Sequence, residues 1–472
     1  MMKLNSTRFL DQYNNPEYSM DFATFLSKIS SDISNREGHQ MKKLAKSATI
    51  QVTDGCNLRC SYCYQINKGN KFIPIETGKK FIDLLLGDSE KNHYFYKGNV
   101  DSIVMDFIGG EPLLAIDQMS VLADYFVQRL IELDHPWLQY YMFSMSTNGT
   151  LYFDSKVQDF INKHDGRLSI GVTVDGNKTL HDSCRVFPDG SGSYDKAIAA
   201  VMDWRERGHD AHPGTKLTIA PGNLKYLADA NKHMIDLGFT RINENCVYEN
   251  VWKPEHATLL YKQLKETADY ILNNNLEKER SLRIFDLTWY HPMPEDNNNN
   301  WCGGDGSMVA VNPYGNIYNC LRFMESSIGN SRAPLIIGNV DRGIGITEQD
   351  KKNIHEMQCI TRRSQSSDKC FYCPIASGCA WCTGYNYQIF GTCNKRATFN
   401  CEMHKAAALA ASYFWNTLAK KHDNDSDING QRVHLYVPKN WAVPIIGEDE
   451  YVMLLDLAKM NEPDPDYCVE EG

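Results

Sequence analysis

From Ala48 onward the hydrophobic positions switch between two periods. Short runs at Ala48–Thr53, Ile103–Ile108, Tyr140–Ser146, Leu168–Val174, Lys216–Ala220 and Arg241–Val247 read as strands. Between and after them, apolar residues recur three or four apart over Glu76–Leu86, Ile116–Leu133, Asp154–His164, Tyr194–Arg207, Leu224–Leu237 and Glu255–Asn273, which predicts helices. Six strand-then-helix units in a row predict an α/β fold, a parallel sheet curved into a partial, TIM-like (β/α)6 barrel. Right-handed crossovers place the helices outside it. Residues 1–47 are polar and mixed, with a helix predicted over Asp21–Ile33 through Phe22, Phe25 and Leu26. They read as a packing arm.

Past the last unit the pattern changes. Asn297–Asn300, after Pro292 and Pro294, reads as a linker that ends the barrel. Gly304–Cys320 alternates around an Asn312-Pro313-Tyr314-Gly315 turn and predicts a β-hairpin. Met403–Lys420 has helical periodicity, Lys420–Gly430 is a polar link, and the tail predicts a strand near Val433–Val437 and a helix near Glu450–Met460. The expected division is an arm over 1–47, a barrel over 48–295, a cysteine-rich domain over 296–405 and a C-terminal helix and tail over 406–472.

Composition narrows the function classes. The chain has 472 residues, enough for two or three domains, and its formal charge of −10 argues against nucleic acid as the main partner. No apolar run approaches a membrane span, and Met1–Leu10 lacks the apolar core of a signal peptide, so a cytoplasmic location is expected. In such a compartment the 15 cysteines are better read as metal ligands than as disulfides. Their placement agrees: Cys56, Cys60 and Cys63 form one group, nine fall between Cys302 and Cys401, and only Cys184, Cys246 and Cys468 stand apart.

The first group lies on a loop after the first strand, in a C-x3-C-x2-C run. Thiolates are the ligands of iron–sulfur clusters, and three of them leave one iron of four open. Gly109-Gly110-Glu111-Pro112 follows the second strand, Ser146-Thr147-Asn148-Gly149 the third, and Asp175-Gly176 the fourth, with Arg185 beyond. All sit at C-terminal strand ends, where β/α barrels build their sites. Paired glycines admit a ligand close to the backbone, Arg185 offers a donor fork for a carboxylate, and Ser146 and Asn148 supply neutral hydrogen bonds suited to a ribose. Downstream, Cys370-x2-Cys373-x5-Cys379-x2-Cys382 with Cys393 and Cys401 is a second metal signal, open by spacing alone to a four-cysteine zinc site or to iron–sulfur clusters.

Taken together, Cys56-x3-Cys60-x2-Cys63, Gly109-Gly110-Glu111-Pro112, Ser146-Thr147-Asn148-Gly149 and Thr173-Val174-Asp175-Gly176 resemble the radical S-adenosylmethionine superfamily over roughly residues 48–280. The resemblance implies a [4Fe-4S] cluster on Cys56, Cys60 and Cys63 whose open iron takes the amino and carboxylate groups of S-adenosylmethionine. It implies Tyr62 against the adenine, the segment Gly109, Gly110, Glu111 and Pro112 at the methionine ammonium, and Arg185 with Thr173 at the carboxylate. The later cysteines resemble the SPASM extension of peptide-modifying radical enzymes. That implies two auxiliary [4Fe-4S] clusters, one on Cys370, Cys373, Cys379 and Cys401, the other on Cys302, Cys320 and Cys382. Two features depart from the pattern: the last pair is C-x2-C where relatives carry C-x3-C, and Cys359 and Cys393 are spare. Either could complete the second auxiliary set or replace Cys401.

By that resemblance the chain is a maturase of a ribosomally made precursor peptide, forming a thioether between a cysteine sulfur and a carbon, with a flavodoxin or ferredoxin as reductant and neither nucleic acid nor membrane as partner. Formylglycine formation of the anaerobic sulfatase-maturase kind, carbon–carbon crosslinking and epimerisation are the alternatives. No spacing singles out a general base.

Overall fold

The computed structural model describes residues 46–87, 102–209, 216–300, 302–422 and 432–459. The arm over 1–45, with its helix at Asp21–Ile33, and the acidic tail with Cys468 lie outside them, as does most of the Lys420–Gly430 link. The strands are β1 (Lys46–Thr53), β2 (Ile103–Gly109), β3 (Tyr141–Thr147), β4 (Leu168–Val172), β5 (Lys216–Ile219), β6 (Arg241–Cys246), β7 (Ser281–Leu282), β8 (Met308–Val311), β9 (Asn316–Tyr318), β10 (Ile336–Asn339) and β11 (Gly343–Ile344). The longer helices are α1 (Ile75–Leu86), α2 (Ile116–Glu132), α3 (Ser155–His164), α4 (Lys178–Cys184), α5 (Tyr194–Glu206), α6 (Leu227–Asp236), α7 (Pro254–Asn273), α8 (Glu348–Gln358), α9 (Thr383–Phe390), α10 (Cys401–Lys421), α11 (Lys439–Ile446) and α12 (Glu448–Ala458).

All six expected strands and six expected helices form, because their periodicity matches the two faces they present. On β1 and β2, Ala48, Ile50, Val52, Ile103, Met105 and Phe107 point to the helices and are buried. The opposite face is mixed, with Ser47, Thr49 and Gln51 on β1 beside Val104, Asp106 and Ile108 on β2. Thr49 pairs with Asp106 and Asp106 with Ser144 across parallel strands, so the concave side carries hydroxyls and a carboxyl and not only the apolar layers of a filled barrel. Burial raises the Asp106 carboxyl to about 6 against the hydrogen bonds of Ser144 and Thr49.

The sheet is open in a way the periodicity did not reveal. Strands β1 to β4 are parallel neighbours, but β5, β6 and β7 make a separate parallel sheet. Asp175, just past β4, spans the seam: its Oδ1 accepts the Thr218 amide of β5 at 2.9 Å. On the other edge the cysteine-rich hairpin joins the barrel. β8 pairs parallel with β1, and β9, β10 and β11 continue the sheet antiparallel in the order β11-β10-β9-β8-β1-β2-β3-β4. The hairpin of the cysteine-rich region therefore shares one sheet with β1 to β4.

Three local expectations change. Asn297–Asn300 is strapped down, since Arg362 donates to the carbonyls of Asn297 at 2.9 Å and Pro294 at 2.8 Å while the Arg363 amide donates to Asn298 Oδ1 at 2.7 Å. Val433–Val437 is irregular, not a strand. Its Val433 amide and carbonyl are taken by the Asn416 side chain of α10, at 2.9 and 3.1 Å, which removes them from any ladder. Helix α4, unforeseen, starts where Asn177 Oδ1 caps the Leu180 amide at 3.0 Å. The hairpin and the long helix α10, packed on α7, form as expected. Among the described residues no helix is long and apolar enough to cross a membrane.

Candidate active site

The cysteine run after β1 is held by backbone bonds to two neighbouring segments, one just past β2 and one at the end of α4. Gly110 N–H donates to Thr53 O at 3.1 Å and Glu111 N–H to Gly55 O at 2.9 Å. Arg59 N–H donates to Val186 O at 2.8 Å and Ser61 N–H to Cys184 O at 2.9 Å, which puts α4 under the loop. The paired glycines are required at this crossing. A Cβ on Gly110 would lie 2.2 Å from Gly55 O and 2.7 Å from the Cys56 Cβ. The sulfurs of Cys56, Cys60 and Cys63 come within electrostatic reach of one another at the mouth of the barrel. Burial, more than any neighbour, pushes the Cys56 and Cys60 thiols up.

Two expected ligand-binding side chains turn out to hold the loop itself. Glu111 is buried, and its carboxylate accepts from Thr147 Oγ1 at 2.5 Å, the Asn148 amide at 2.8 Å and the Leu113 amide at 3.1 Å. That ties the end of β2 to the end of β3. The Asn148 amide donates to Asn57 Oδ1 at 2.8 Å and its oxygen accepts from Thr150 Oγ1 at 2.7 Å, while Asn57 donates to Thr150 Oγ1 at 2.8 Å. Asn57 was not singled out in the sequence, although it sits inside the cysteine run. Ser146 is exposed at the end of β3, and Thr173, whose amide bonds Thr147 O at 3.0 Å, is half-buried beside it.

Half-buried Tyr62 and the buried Asp175 and Arg185 form a triad. The Tyr62 hydroxyl donates to Asp175 Oδ2 and accepts from Arg185 Nη1, the latter at 2.8 Å. Burial raises the Asp175 carboxyl, and the Arg185 charge opposes it. Burial works against the Arg185 charge, yet Tyr62, Asp175 and Cys60 keep the guanidinium firmly ionised. Its Nε, shielded from solvent, has no hydrogen-bond partner and is a donor left over for an anion. Asp175 carries as much of this site as Arg185; its signal was the Asp-Gly pair after β4.

The downstream cysteines fall into two further sets. Cys370, Cys373, Cys379 and Cys401 feel one another's charge, and burial raises Cys373 to about 12 and Cys379 to about 11. Cys302, Cys320 and Cys382 form the other, around the hairpin. One device recurs in all three sets. The amide two residues after a cysteine donates to its sulfur: Leu58 to Cys56 at 3.4 Å, Gly304 to Cys302, Arg322 to Cys320 and Ile375 to Cys373. Cations stand by each set as well: Lys68 and Arg185 near Cys60, Arg322 near Cys382, Arg396 near Cys379 and Lys405 near Cys401. Amides and cations aimed at sulfur favour thiolate. Among the described residues no group of three His, Cys, Asp or Glu is disposed to hold a single metal ion. The donor set in each of the three groups, thiols beside amides and cations, fits thiolate-bound metal, whether iron–sulfur or zinc.

Between the first and the hairpin set stands Tyr64, which couples to Cys63, Cys320 and Cys382. The Arg322 guanidinium lies 4.7 Å from its ring centroid and 5.5 Å from that of Tyr385, and bonds Glu249 Oε1 at 3.0 Å. Gly384 admits Arg322, since a Cβ there would lie 2.5 Å from the Arg322 Cβ.

Comparison with known proteins agrees with this geometry. Residues 50–220 match the family model of the Radical SAM superfamily, so the chain carries a radical SAM domain. An uncharacterized protein of Methanocaldococcus jannaschii is 28% identical over 284 residues, 58% of this chain and 84% of that one. The serine-type anaerobic sulfatase-maturating enzyme of Bacteroides thetaiotaomicron is 26% identical over 162 residues, 32% of this chain and 34% of its own. The chain thus spans about a third of that relative's length. Among solved structures, anSMEcpe with bound AdoMet superposes with a TM-score of 0.57 at 18% identity, over 80% of this chain and 99% of that one. A structure of anSMEcpe with AdoMet and the Cp18Cys peptide has a TM-score of 0.54, at 18% identity and the same coverage. The likeness of fold thus runs past the radical SAM domain into the cysteine-rich region.

Proposed function

We propose that this chain is a radical S-adenosylmethionine enzyme that modifies a ribosomally made peptide, joining the sulfur of a peptide cysteine to a carbon of an acceptor residue. The observation that carries it is the set of three thiol groups arranged in sequence, with Tyr64 and Arg322 between the first and the second. A redox partner at a distance from the first set is what an oxidative peptide crosslink needs. When bound at the Cys56, Cys60 and Cys63 set, a cluster with S-adenosylmethionine supplies a 5′-deoxyadenosyl radical.

The chain's own residues bind and orient. Arg185 Nε offers its free N–H to the carboxylate, and the Gly109-Gly110 backbone approaches the ammonium. The Tyr62 ring, fixed through its hydroxyl by Asp175 and Arg185, would lie against the adenine, and Ser146 and Thr173 would offer hydroxyls. The crosslink breaks one C–H and one S–H bond and forms one C–S bond. The hydrogen atom leaves on 5′-deoxyadenosine, a proton is released, and one electron passes to an acceptor, the task proposed for the thiol sets of residues 296–405. A flavodoxin or ferredoxin of the cytoplasm is the proposed external reductant.

The sulfatase-maturating relative and the anSMEcpe fold favour a second reading, oxidation of a Cys or Ser side chain to formylglycine. Incubation of the reconstituted enzyme with S-adenosylmethionine, reductant and cysteine-containing peptides tests both. The first reading expects a peptide that loses two hydrogens and one alkylatable thiol per turnover. An aldehyde trapped by a hydrazine would replace it with the second.

A further inference from the structure

We propose that Cys393 is the fourth thiolate of the hairpin set, closing the coordination shell begun by Cys302, Cys320 and Cys382, so that this set offers an electron acceptor and leaves no iron for a substrate thiolate. The inference rests on the iron–sulfur reading above and decides what the second set does in it.

Four observations converge. Cys393 is 0% exposed and belongs to the small core of Tyr318, Phe323, Met357 and Ile360, against which Cys302 and Cys320 pack. Its sulfur is within electrostatic reach of all three hairpin cysteines together. Its backbone is clamped on both sides, the amide donating to Glu356 Oε1 of α8 at 2.8 Å and the carbonyl accepting from Gln365 Nε2 at 2.6 Å. The chain is also turned to bring it there. Cys382 caps the start of α9, whose eight residues rise about 12 Å, and Gly391 in the left-handed conformation (φ +75°) ends the helix so that the next residues double back.

The other spare cysteines are placed elsewhere. Cys359 is exposed at the end of α8, its sulfur 3.2 Å from His355 Nε2 on the same helix. Cys401 sits with Cys370, Cys373 and Cys379. Cys184 supports the first cysteine loop through its carbonyl, and Cys246 shares the helix-covered face of β6 with Glu244. Among the described residues Cys393 is thus the one further thiol that faces the hairpin set.

The test uses the full chain, reconstituted anaerobically, as wild type, Cys393→Ala, Cys393→Ser and Cys359→Ala. Iron, sulfide and zinc are counted, and EPR spectra of the reduced proteins are recorded with and without 2-mercaptoethanol, all with saturating S-adenosylhomocysteine, whose amino and carboxylate groups occupy the open iron of the first set so that only the hairpin set can respond to the thiol. The proposal expects about 12 irons in wild type and in Cys359→Ala, from three four-iron clusters, with spectra indifferent to the added thiol. Cys393→Ala should lose iron from one cluster or give a spectrum that shifts when the thiol is added, because an iron has been opened. Cys393→Ser, close to cysteine in size, keeps the core filled and should retain the iron with an altered spectrum. A folded Cys393→Ala with wild-type iron and a thiol-indifferent spectrum overturns the proposal, as does a wild-type spectrum that shifts with thiol. Wild type with about 4 irons, or with zinc in their place, overturns the iron–sulfur reading itself and the proposal with it.

Discussion

The two cysteine regions of this chain are built by opposite means. The first set lies on one short loop of a parallel sheet and is braced by backbone bonds to two neighbouring segments: the Thr53 and Gly55 carbonyls accept the Gly110 and Glu111 amides, and the Arg59 and Ser61 amides donate to the Val186 and Cys184 carbonyls. It keeps one side turned to the barrel mouth. The hairpin set is gathered from distant points of the chain, before β8, after β9 and at either end of α9, and is sunk in its own small core. A loop that must leave an iron open for a ligand is braced by backbone and spends few side chains at the open side. A set that only passes electrons can be closed on every side. On the proposed function, the difference in construction separates a set that would bind from a set that would conduct.

The largest effect should come from breaking the open set. Cys60→Ala removes one of three thiolates where none is spare, and reductive cleavage of S-adenosylmethionine should fall below detection. Cleavage at the wild-type rate, measured as 5′-deoxyadenosine formed, would remove the first set from the mechanism. Cys373→Ala, in the third set, should leave cleavage intact and abolish modified peptide. Product at the wild-type yield would make that set structural only.

Much of this was legible in the sequence, and for an identifiable reason. Periodicity reports which face of a strand or helix meets the core, so the six units read correctly. Motif residues at strand ends share one mouth because parallel topology allows nothing else. What stayed hidden depends on pairing between distant segments. No local pattern says that β8 will add to the free edge of β1, or that Asp175 will stitch β4 to β5. Nor does a motif tell a residue that touches the ligand from one that positions the loop. Glu111 and Asn148, candidate ligands in the sequence, also brace the loop in the structure through their side-chain hydrogen bonds.

A smaller effect is expected where the two regions meet. Arg322 donates its amide to Cys320 and holds its guanidinium near Cys382 and over Tyr64. Arg322→Gln removes one positive charge from beside an anionic centre, so the reduction potential of the hairpin cluster should drop, with product formation down on the order of tenfold and cleavage of S-adenosylmethionine unchanged. Arg322→Lys should restore part of the potential. A redox titration followed by EPR decides it, and an unchanged potential would leave Arg322 as packing for Tyr64 and Tyr385.

The smallest effect tests whether burial of a cysteine beside an acid is itself enough to mark a functional set. On β6, Glu244 and Cys246 pair with Leu217 and Ile219 of β5 and so point to the helices, not to the mouth. Neither Glu244 oxygen has a hydrogen-bond partner of ordinary geometry, although Asn231 and the Ile284 backbone lie near enough to temper its charge. Burial lifts the Glu244 carboxyl from 4.5 to about 8 and Cys246 to about 12. The folded chain therefore keeps a proton that the unfolded chain gives up above about pH 4.5, and stability is lost as pH rises toward 8. Glu244→Gln does not titrate, so it should gain on the wild type with rising pH, by on the order of 4 kcal/mol at pH 8.5 and close to nothing at pH 4.5. Iron content and cleavage should not move. Melting temperatures at the two pH values measure the gain, and a loss of iron in this variant would mean that the face behind β6 belongs to the metal chemistry after all.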